Sequence, residues 1–400
     1  MKKNMNKITD FFRDLFSSNL KNTSLENILK SPEEITANSQ PFYTAKKDLI
    51  FFPSLNAYGA FKYNVVRDIF ANNKVITVSD VHIALNSVYF SLDEQKHQNN
   101  KKAAYKHLEF LSKQKQDEPN QSTKKVFDFL LSKFPTNSIF DLSAHLINPL
   151  IFINILEEYG FLEYMPQFNP WSNEYKHDEA IRLISNYFED SNNLSTLLTE
   201  YISTQKPIPQ KMQHFLTEIQ SDHPVTDELL AQFFSSMIFS GTHSTSSFLA
   251  SYIYVLFNQY PHLLNKPFNY NELEIVENEV LRIYTPVQWV FRTVREDTKY
   301  AGVDLKKGDT VILFVGAANL DPTVFTSPNE IRFDRKTNHL SFGMGPYACI
   351  GRFVTHRIAI NLISYLSDYV HQINFIEKDE RHSIHNAMLK IPLIVSYITK

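Results

Sequence analysis

The chain has one cysteine, Cys349, and it lies in a loop of unusual composition: Phe342-Gly343-Met344-Gly345-Pro346-Tyr347-Ala348-Cys349-Ile350-Gly351-Arg352. Three glycines flank the sulfur, and a helical pattern begins directly after it. Glycine permits tight turns and lets backbone pass close to a flat ligand. A cysteine at a helix start faces the positive end of the dipole and free backbone N–H groups, and both stabilise a thiolate. A cysteine that ligates a metal does so as its thiolate. A lone cysteine can equally be a small, inert, buried hydrophobe, and the residue alone leaves both readings open. A single cysteine excludes an internal disulfide, so folding does not depend on an oxidising compartment.

The 400 residues are 43% hydrophobic, enough for a large buried core, and length alone sets a soft expectation of two or three domains. A formal net charge of -3 gives no global field that would draw nucleic acid or an anionic membrane. The 14% aromatic content suits an interior enclosing a flat apolar ligand, and suits an ordinary core as well. The first twenty residues start basic, but Asp10, Arg13 and Asp14 interrupt the apolar run, so no secretory segment is expected. No apolar run is long enough to cross a bilayer. The expectation is a cytoplasmic protein without a membrane span.

Helical periodicity dominates from about residue 93 to 265. The Lys-rich stretch 93–125 reads as exposed helix and loop. Residues 140–160 read as a buried helix, bent at Pro149 and ended by Gly160. The most unusual element is 226–260, where Thr226 can cap, Asp227 and Glu228 suit the helix start, and Pro261 stops it. At 1.5 Å per residue it would span roughly 50 Å. Its flanks are apolar, yet its centre runs from Ser240 through Gly241, Thr242, His243, Ser244 and Thr245 to Ser246. Small hydroxylated residues in mid-helix open a groove, or permit a close crossing with another helix. From 286 to 292 and from 300 to 315 the pattern alternates like short strands, with a turn at Lys307-Gly308-Asp309. An irregular stretch covers 316–348, helix returns over 350–370, and 371–398 reads as a hairpin. The chain is expected to be mainly α, with small sheets grafted on.

Phe342, Gly345, Cys349 and Gly351 match the pattern F-x-x-G-x-x-x-C-x-G, and the loop thereby resembles the haem loop of the cytochromes P450. Glu279 and Arg282 resemble the family's E-x-x-R helix at a suitable distance upstream, and Arg335 resembles the arginine that joins that pair. Pro286 and Arg292 resemble the segment that lines the pocket and contacts a haem propionate. Asp93, His97 and Lys101 resemble D-x-x-x-H-x-x-x-R, with Lys replacing Arg. The resemblance covers about residues 80 to 395. It implies the cytochrome P450 fold over a single domain, 1–400: a helical bundle around haem b with small sheets. It makes Cys349 the proximal iron ligand, whose electron donation favours O–O cleavage. It assigns the propionates to His97, Lys101 and Arg292, and gives Glu279, Arg282 and Arg335 a structural role.

Two departures matter. The residue two before the cysteine is usually His or Arg; here it is Tyr347, which brings a donor without a charge. The family's central helix usually carries Gly-x-(Asp/Glu)-Thr-Thr. Here Gly241 is kept, but His243 stands at the acid position, Ser244 at the threonine position, and Thr245 follows. His243 can relay protons near neutral pH, or face away and bond locally. A weakened relay favours radical coupling of phenols, or a peroxide-driven oxidation, over oxygen insertion. The resemblance places the substrate among Val81 to Phe90, Phe239, Val287, Trp289, Val290 and Met388, mostly apolar residues that imply an apolar or aromatic small molecule of specialised metabolism. Trp289 and Phe239 serve equally well as core. No flavin or nicotinamide domain is recognisable, so electrons are expected from a separate ferredoxin and its reductase, docking on Arg352, Lys101, Lys102 and Lys106. A haem-based gas sensor is the alternative outside catalysis.

Overall fold

The computed structural model describes residues 47–52, 56–72, 74–79, 94–112, 121–132, 139–158, 160–162, 165–169, 179–180, 182–184, 213, 217–218, 226–369, 373–379 and 393–398. In chain order the main elements are β1 (Leu49–Phe52), β2 (Ala57–Ala60), α1 (Tyr63–Ala71), β3 (Ile76–Val78), α2 (Glu94–Ser112), α3 (Gln121–Ser132), β4 (Ile139–Asp141), α4 (Asn148–Glu158) and α5 (Asp227–Gln259). There follow α6 (Tyr270–Ile283), β5 (Val290–Val294), β6 (Thr298–Tyr300), β7 (Val303–Leu305), β8 (Thr310–Leu313), α7 (Val315–Asn319), α8 (Arg352–Leu366), β9 (Ile373–Asp379) and β10 (Leu393–Ile398). Helix dominates, as the periodicity implies. The described residues fall into two compact units, one from residues 47–84 with 277–348, the other from 94–276 with 349–379 and 393–398.

The first unit is built on a five-stranded sheet in the order β1-β2-β8-β5-β3. Only the β2–β8 pair is parallel. The sequence reading anticipated β5 to β8 but not β1 to β3. The Lys307-Gly308-Asp309 turn forms, with Gly308 at φ 94 and its N–H on the Val294 carbonyl. Helix α1 covers the sheet with Val66, Ile69 and Phe70, which join Leu49, Ile76, Val311 and Leu313 in one core.

The second unit is helical, with a three-stranded sheet β4-β10-β9. The expected tail hairpin is present, Leu393 opposite Asp379, with an irregularity between Val395 and Ser396. The helix expected over 140–160 is corrected. It begins as strand β4, passes through a π-helical turn at Ser143–Ile147, and becomes regular only at Asn148. The Asn148 N–H reaches back five residues to the Ser143 carbonyl, and Pro149 has no N–H to offer. The wide turn therefore falls where the ordinary ladder loses a donor.

Helix α5 runs unbroken for 33 residues, and from Thr245 to Ile253 every residue is buried. A helix apolar on most faces belongs inside a core. It packs on α4, and a Cβ added at Gly241 would stand 3.2 Å from Ile155 Cδ1. Of the two readings of its small-residue centre, the close crossing is therefore realised at Gly241.

Candidate haem-thiolate site

In the first unit, the loop reaches the cysteine through two left-handed turns. Gly343 has φ 63 and Gly345 φ 73, conformations that strain any other residue. At Gly345 a Cβ would also lie 2.6 Å from the Phe70 carbonyl oxygen at the end of α1. Gly345 to Tyr347 form a single 3-10 turn, and Ala348 closes it by donating its N–H to the Gly345 carbonyl at 3.1 Å. Gly351 behaves differently from the expectation that flanking glycines make tight turns. It has an ordinary φ of -78, caps α8, and its absent Cβ would only touch the Cys349 sulfur at 3.7 Å.

Beneath this loop lies a charged hub. The Glu279 carboxylate takes two hydrogen bonds from Arg282, Nε at 2.9 Å and Nη2 at 3.0 Å, with both side chains fully buried. Thr337 adds its hydroxyl at 2.7 Å and Arg332 its backbone N–H at 3.2 Å, while Arg335 Nε makes an ion pair with the same carboxylate at 3.4 Å. Arg282 also donates to the carbonyls of Asn319, Pro328 and Glu330. Burial alone would push the Glu279 carboxyl up, but its bonds from Arg282 and Thr337 and the two arginine charges hold it below its ordinary value. Glu279, Arg282 and Arg335 are thus brought together as the sequence implied. Thr337 and the Asn319–Thr285–Ser341 group beside them were missed. In that group the Asn319 amide donates to both hydroxyls and accepts the Leu340 N–H at 2.7 Å. Scattered singly among loop residues, these side chains carry no periodic signal.

Arg292 on β5 is buried, its guanidinium 5.0 Å over the Phe70 ring. Nη1 donates to the Phe291 carbonyl, while Nε has no hydrogen-bond partner, and no carboxylate among the described residues pairs with the group. Burial lowers its pKa to about 10, opposed only by Tyr347. A buried cation short of donors' partners calls for an anion. Tyr347 acts on the same guanidinium, so the substituted position still reaches the arginine it was expected to assist. Phe342 packs against His339, with ring centroids 5.6 Å apart. Trp289 is 3% exposed and edge-on to Phe291 at 5.2 Å, a core residue of this unit, whereas Val287 and Val290 are only partly buried.

In the second unit, Cys349 lies three residues before α8 and keeps open surface. Burial of its surroundings pushes the thiol up. The Gly351 and Arg352 N–H groups and the Lys101 and Arg352 charges pull the other way. The helix-start donors expected from sequence are therefore in place, and burial opposes them. A bound cation at the sulfur is what would reverse this. On α2, His97 is 1% exposed and Lys101 is half-buried. Burial lowers the Lys101 ammonium, the cysteine sulfur offsets part of that, and its Nζ lies 5.7 Å over the Tyr105 ring. Tyr105, unnoticed in the sequence, also feels the charge of the cysteine. An open sulfur with its donor shell fits a haem-iron ligand, and the partnerless Arg292 Nε fits a carboxylate such as a propionate.

At the centre of α5, His243 is fully buried, its Nδ1 3.2 Å from the Thr242 hydroxyl and its ring on Phe239 at 4.4 Å. Phe239 is itself only partly buried. The Ser244 hydroxyl donates to the Ser240 carbonyl at 2.8 Å. Thr245 is directed at α8, its hydroxyl 3.4 Å from that of Thr355. The local-bonding reading of His243 is thus realised at Nδ1, and Thr245 serves helix packing. Val81, Phe90 and Met388, with Asp93, lie outside the described residues.

The cytochrome P450 family model matches residues 272–393. Among curated relatives, the biotin biosynthesis cytochrome P450 of Bacillus subtilis (strain 168) is 31% identical over 41% of this chain and 43% of its own length. Cytochrome P450 109 of Bacillus spizizenii is 28% identical over 75% of each chain. The chain spans about half the length of the first curated relatives it matches, 43% and 55%. Among solved structures, the hydroxylase HmtN superposes with a TM-score of 0.72 at 15% identity, covering 93% of this chain and 100% of its own. CYP109E1 from Bacillus megaterium in complex with corticosterone gives 0.65 at 20%, covering 90% and 99%. The chain has the cytochrome P450 fold, and its residues 272–393 match that family's model. Haem iron is that family's cofactor. Among the described residues no helix is long and apolar enough to cross a membrane.

Proposed function

We propose that this chain acts as one domain, a cytoplasmic haem-thiolate enzyme that holds haem b through Cys349 and oxidises an apolar or aromatic small molecule of specialised metabolism. The observation that carries the reading is the open Cys349 sulfur, with the Gly351 and Arg352 N–H groups and the Lys101 and Arg352 charges acting on it. Haem ligated by a thiolate supplies oxygen activation. This chain's residues do the rest. Arg292, with Tyr347 beside it, takes a propionate, and His97 and Lys101 are the further propionate partners that the resemblance nominates. Ser244 holds a proton at Oγ, and its bond to the Ser240 carbonyl keeps that hydroxyl on the helix until something better accepts it. The resemblance nominates Phe239, Val287 and Val290 for contact with substrate. That a structural neighbour is seen with corticosterone supports an apolar ligand.

Electrons come from a separate ferredoxin and its reductase. Lys102, Arg352 and Phe353 are exposed, Arg352 stacks on Phe353 at 4.7 Å, and α8 contains no acidic residue. Such a face suits an acidic partner.

A second reading has its own support. His243 is buried against Phe239 with Nδ1 at the Thr242 hydroxyl, so no acid stands beside Ser244. Phenol coupling, or a peroxide-driven oxidation, needs less proton delivery than oxygen insertion does. Product analysis with an aromatic panel, run with redox proteins or with peroxide, separates the two. The carbon-monoxide difference spectrum of the reduced protein tests both. A red-shifted Soret band is expected in the parent and lost in Cys349→Ser; the same band in both proteins refutes the ligand assignment.

A further inference from the structure

We infer that His339 is a positioning residue: its neutral ring, protonated on Nε2, acts as a template for the turn that begins the cysteine loop and sets the seat of Phe342. His339 precedes the matched motif and was not singled out in the sequence. Both of its ring nitrogens are engaged. The Ser341 backbone N–H lies 3.2 Å from Nδ1, and a backbone N–H can only donate, so Nδ1 carries no proton. Nε2 lies 3.3 Å from the Asn278 side-chain oxygen, which accepts, so the proton is there. The face of the ring meets Phe342 at 5.6 Å and 53°.

This stretch has no regular structure to satisfy its backbone, and side chains take over. Leu340 N–H goes to Asn319, Ser341 N–H to the His339 ring, and Gly343 N–H back to the Leu340 carbonyl at 2.8 Å. The Ser341 hydroxyl donates to the Leu281 carbonyl at 2.6 Å. Asn278 precedes Glu279 on α6, so the ring ties the hub helix to the residues that lead into Gly343 and its left-handed turn. Without that ring, Ser341 N–H has lost its acceptor and Phe342 its edge.

Two substitutions separate template from filler. His339→Asn keeps an acceptor where Nδ1 stands, whereas His339→Phe keeps the aromatic area and no acceptor. Amide hydrogen exchange is followed over the peptide 336–348 in the purified protein, with the reduced carbon-monoxide spectrum read on the same samples. In His339→Phe, exchange is expected to rise about tenfold, the scale of one lost buried hydrogen bond. The red-shifted Soret band is then expected to decay faster on standing. His339→Asn is expected to stay within about twofold of the parent in both readouts. Should His339→Phe fail to fold, Asn278→Leu releases only the Nε2 end, and a rise of a few-fold is expected. Unchanged exchange in His339→Phe, or equally fast exchange in His339→Asn, overturns the inference. The spectroscopic arm rests on the haem-thiolate reading. The exchange arm does not, so a parent with no red-shifted band defeats that reading and leaves the template to be judged by exchange alone.

Discussion

The Glu279 hub and the centre of α5 are both buried and polar, and their bonds are made in opposite ways. The hub draws its partners from far along the chain: Asn319, Pro328, Glu330, Arg332, Arg335 and Thr337 all converge on the pair formed at Glu279 and Arg282. In the α5 centre, Thr242 bonds the Ile238 carbonyl, Ser244 the Ser240 carbonyl, and His243 its neighbour Thr242, while Thr245 reaches Thr355 on α8. Long-range bonds cannot form until the loops are in place, so the hub locks a tertiary arrangement. Local bonds form with the helix itself and ask nothing of the rest of the fold. The first kind of site resists substitution; the second is free to vary and can be spent on chemistry. The sequence keeps the family pattern at Glu279, Arg282 and Arg335 and departs from it at His243 and Ser244.

The hardest test of this contrast is Glu279→Ala. It leaves the Arg282 guanidinium buried without its carboxylate and strips an acceptor from Thr337 and from the Arg332 N–H. A loss of about 3–5 kcal/mol is expected, read as a collapsed urea midpoint or as failure to accumulate soluble protein. A variant that unfolds with the parent's midpoint would mean that the hub is ornamental.

Thr337→Val probes the hub more gently and through pH. Glu279 has its carboxyl held below the ordinary value, so its contribution is complete above about pH 4.5 and disappears as pH falls through the folded value. Thr337 supplies part of that depression. Its removal lets the folded value climb toward the ordinary one, with a cost of about 1 kcal/mol above it. The acid limb of the melting-temperature profile should therefore still begin near pH 4.5 but level off at higher pH, with a smaller total drop, in the variant. A limb that keeps the parent's full drop, or levels off at lower pH, would show that Glu279 does not control it.

Much of this was legible beforehand, and the reason differs by region. The cysteine loop, the E-x-x-R pair and Arg335 could be read because their chemistry needs particular residue types at fixed spacing. The long helix could be read because apolar flanks, Thr226 and Pro261 mark it out. Strands β1 to β3, each only three or four residues long, were missed, whereas the equally short β6 to β8 were marked out by the Lys307-Gly308-Asp309 turn among them. The start of the 140–160 element was misread as helix because short apolar runs look alike in strand and helix, and only pairing with β10 decides between them. Asn319, Thr337 and His339 were invisible for another reason. Thr337 bonds a carboxylate 58 residues away, and Asn319 and His339 bond side chains far along the chain together with backbone N–H groups, none of which leaves a local mark on a sequence.

On the α5 side, Gly241→Ala sets helix propensity against the α4 crossing. The new methyl gains about 1 kcal/mol in a helix interior. It also meets the Ile155 Cδ1 at 3.2 Å, which is the free end of a side chain and can turn aside. The two effects should leave stability within about 1 kcal/mol of the parent, measured by urea unfolding. Gly241→Val, with branched bulk at the same crossing, should fall clearly below it.

Ser244→Ala is the smallest change and the sharpest for the contrast. Its hydroxyl is partly buried, and its one hydrogen bond in the structure goes to a carbonyl one turn back in its own helix. Removing it deletes no long-range bond, and alanine is the better helix former. Stability should therefore change by less than about 0.5 kcal/mol. If the hydroxyl carries the proton that the proposed oxidation consumes, electrons drawn per molecule of product should nevertheless rise. The two readouts must part company in this variant: an intact melting curve with poorer coupling supports a centre released from folding duty. A melting curve that drops as it does at Glu279 would place Ser244 with the hub and erase the distinction between the two regions.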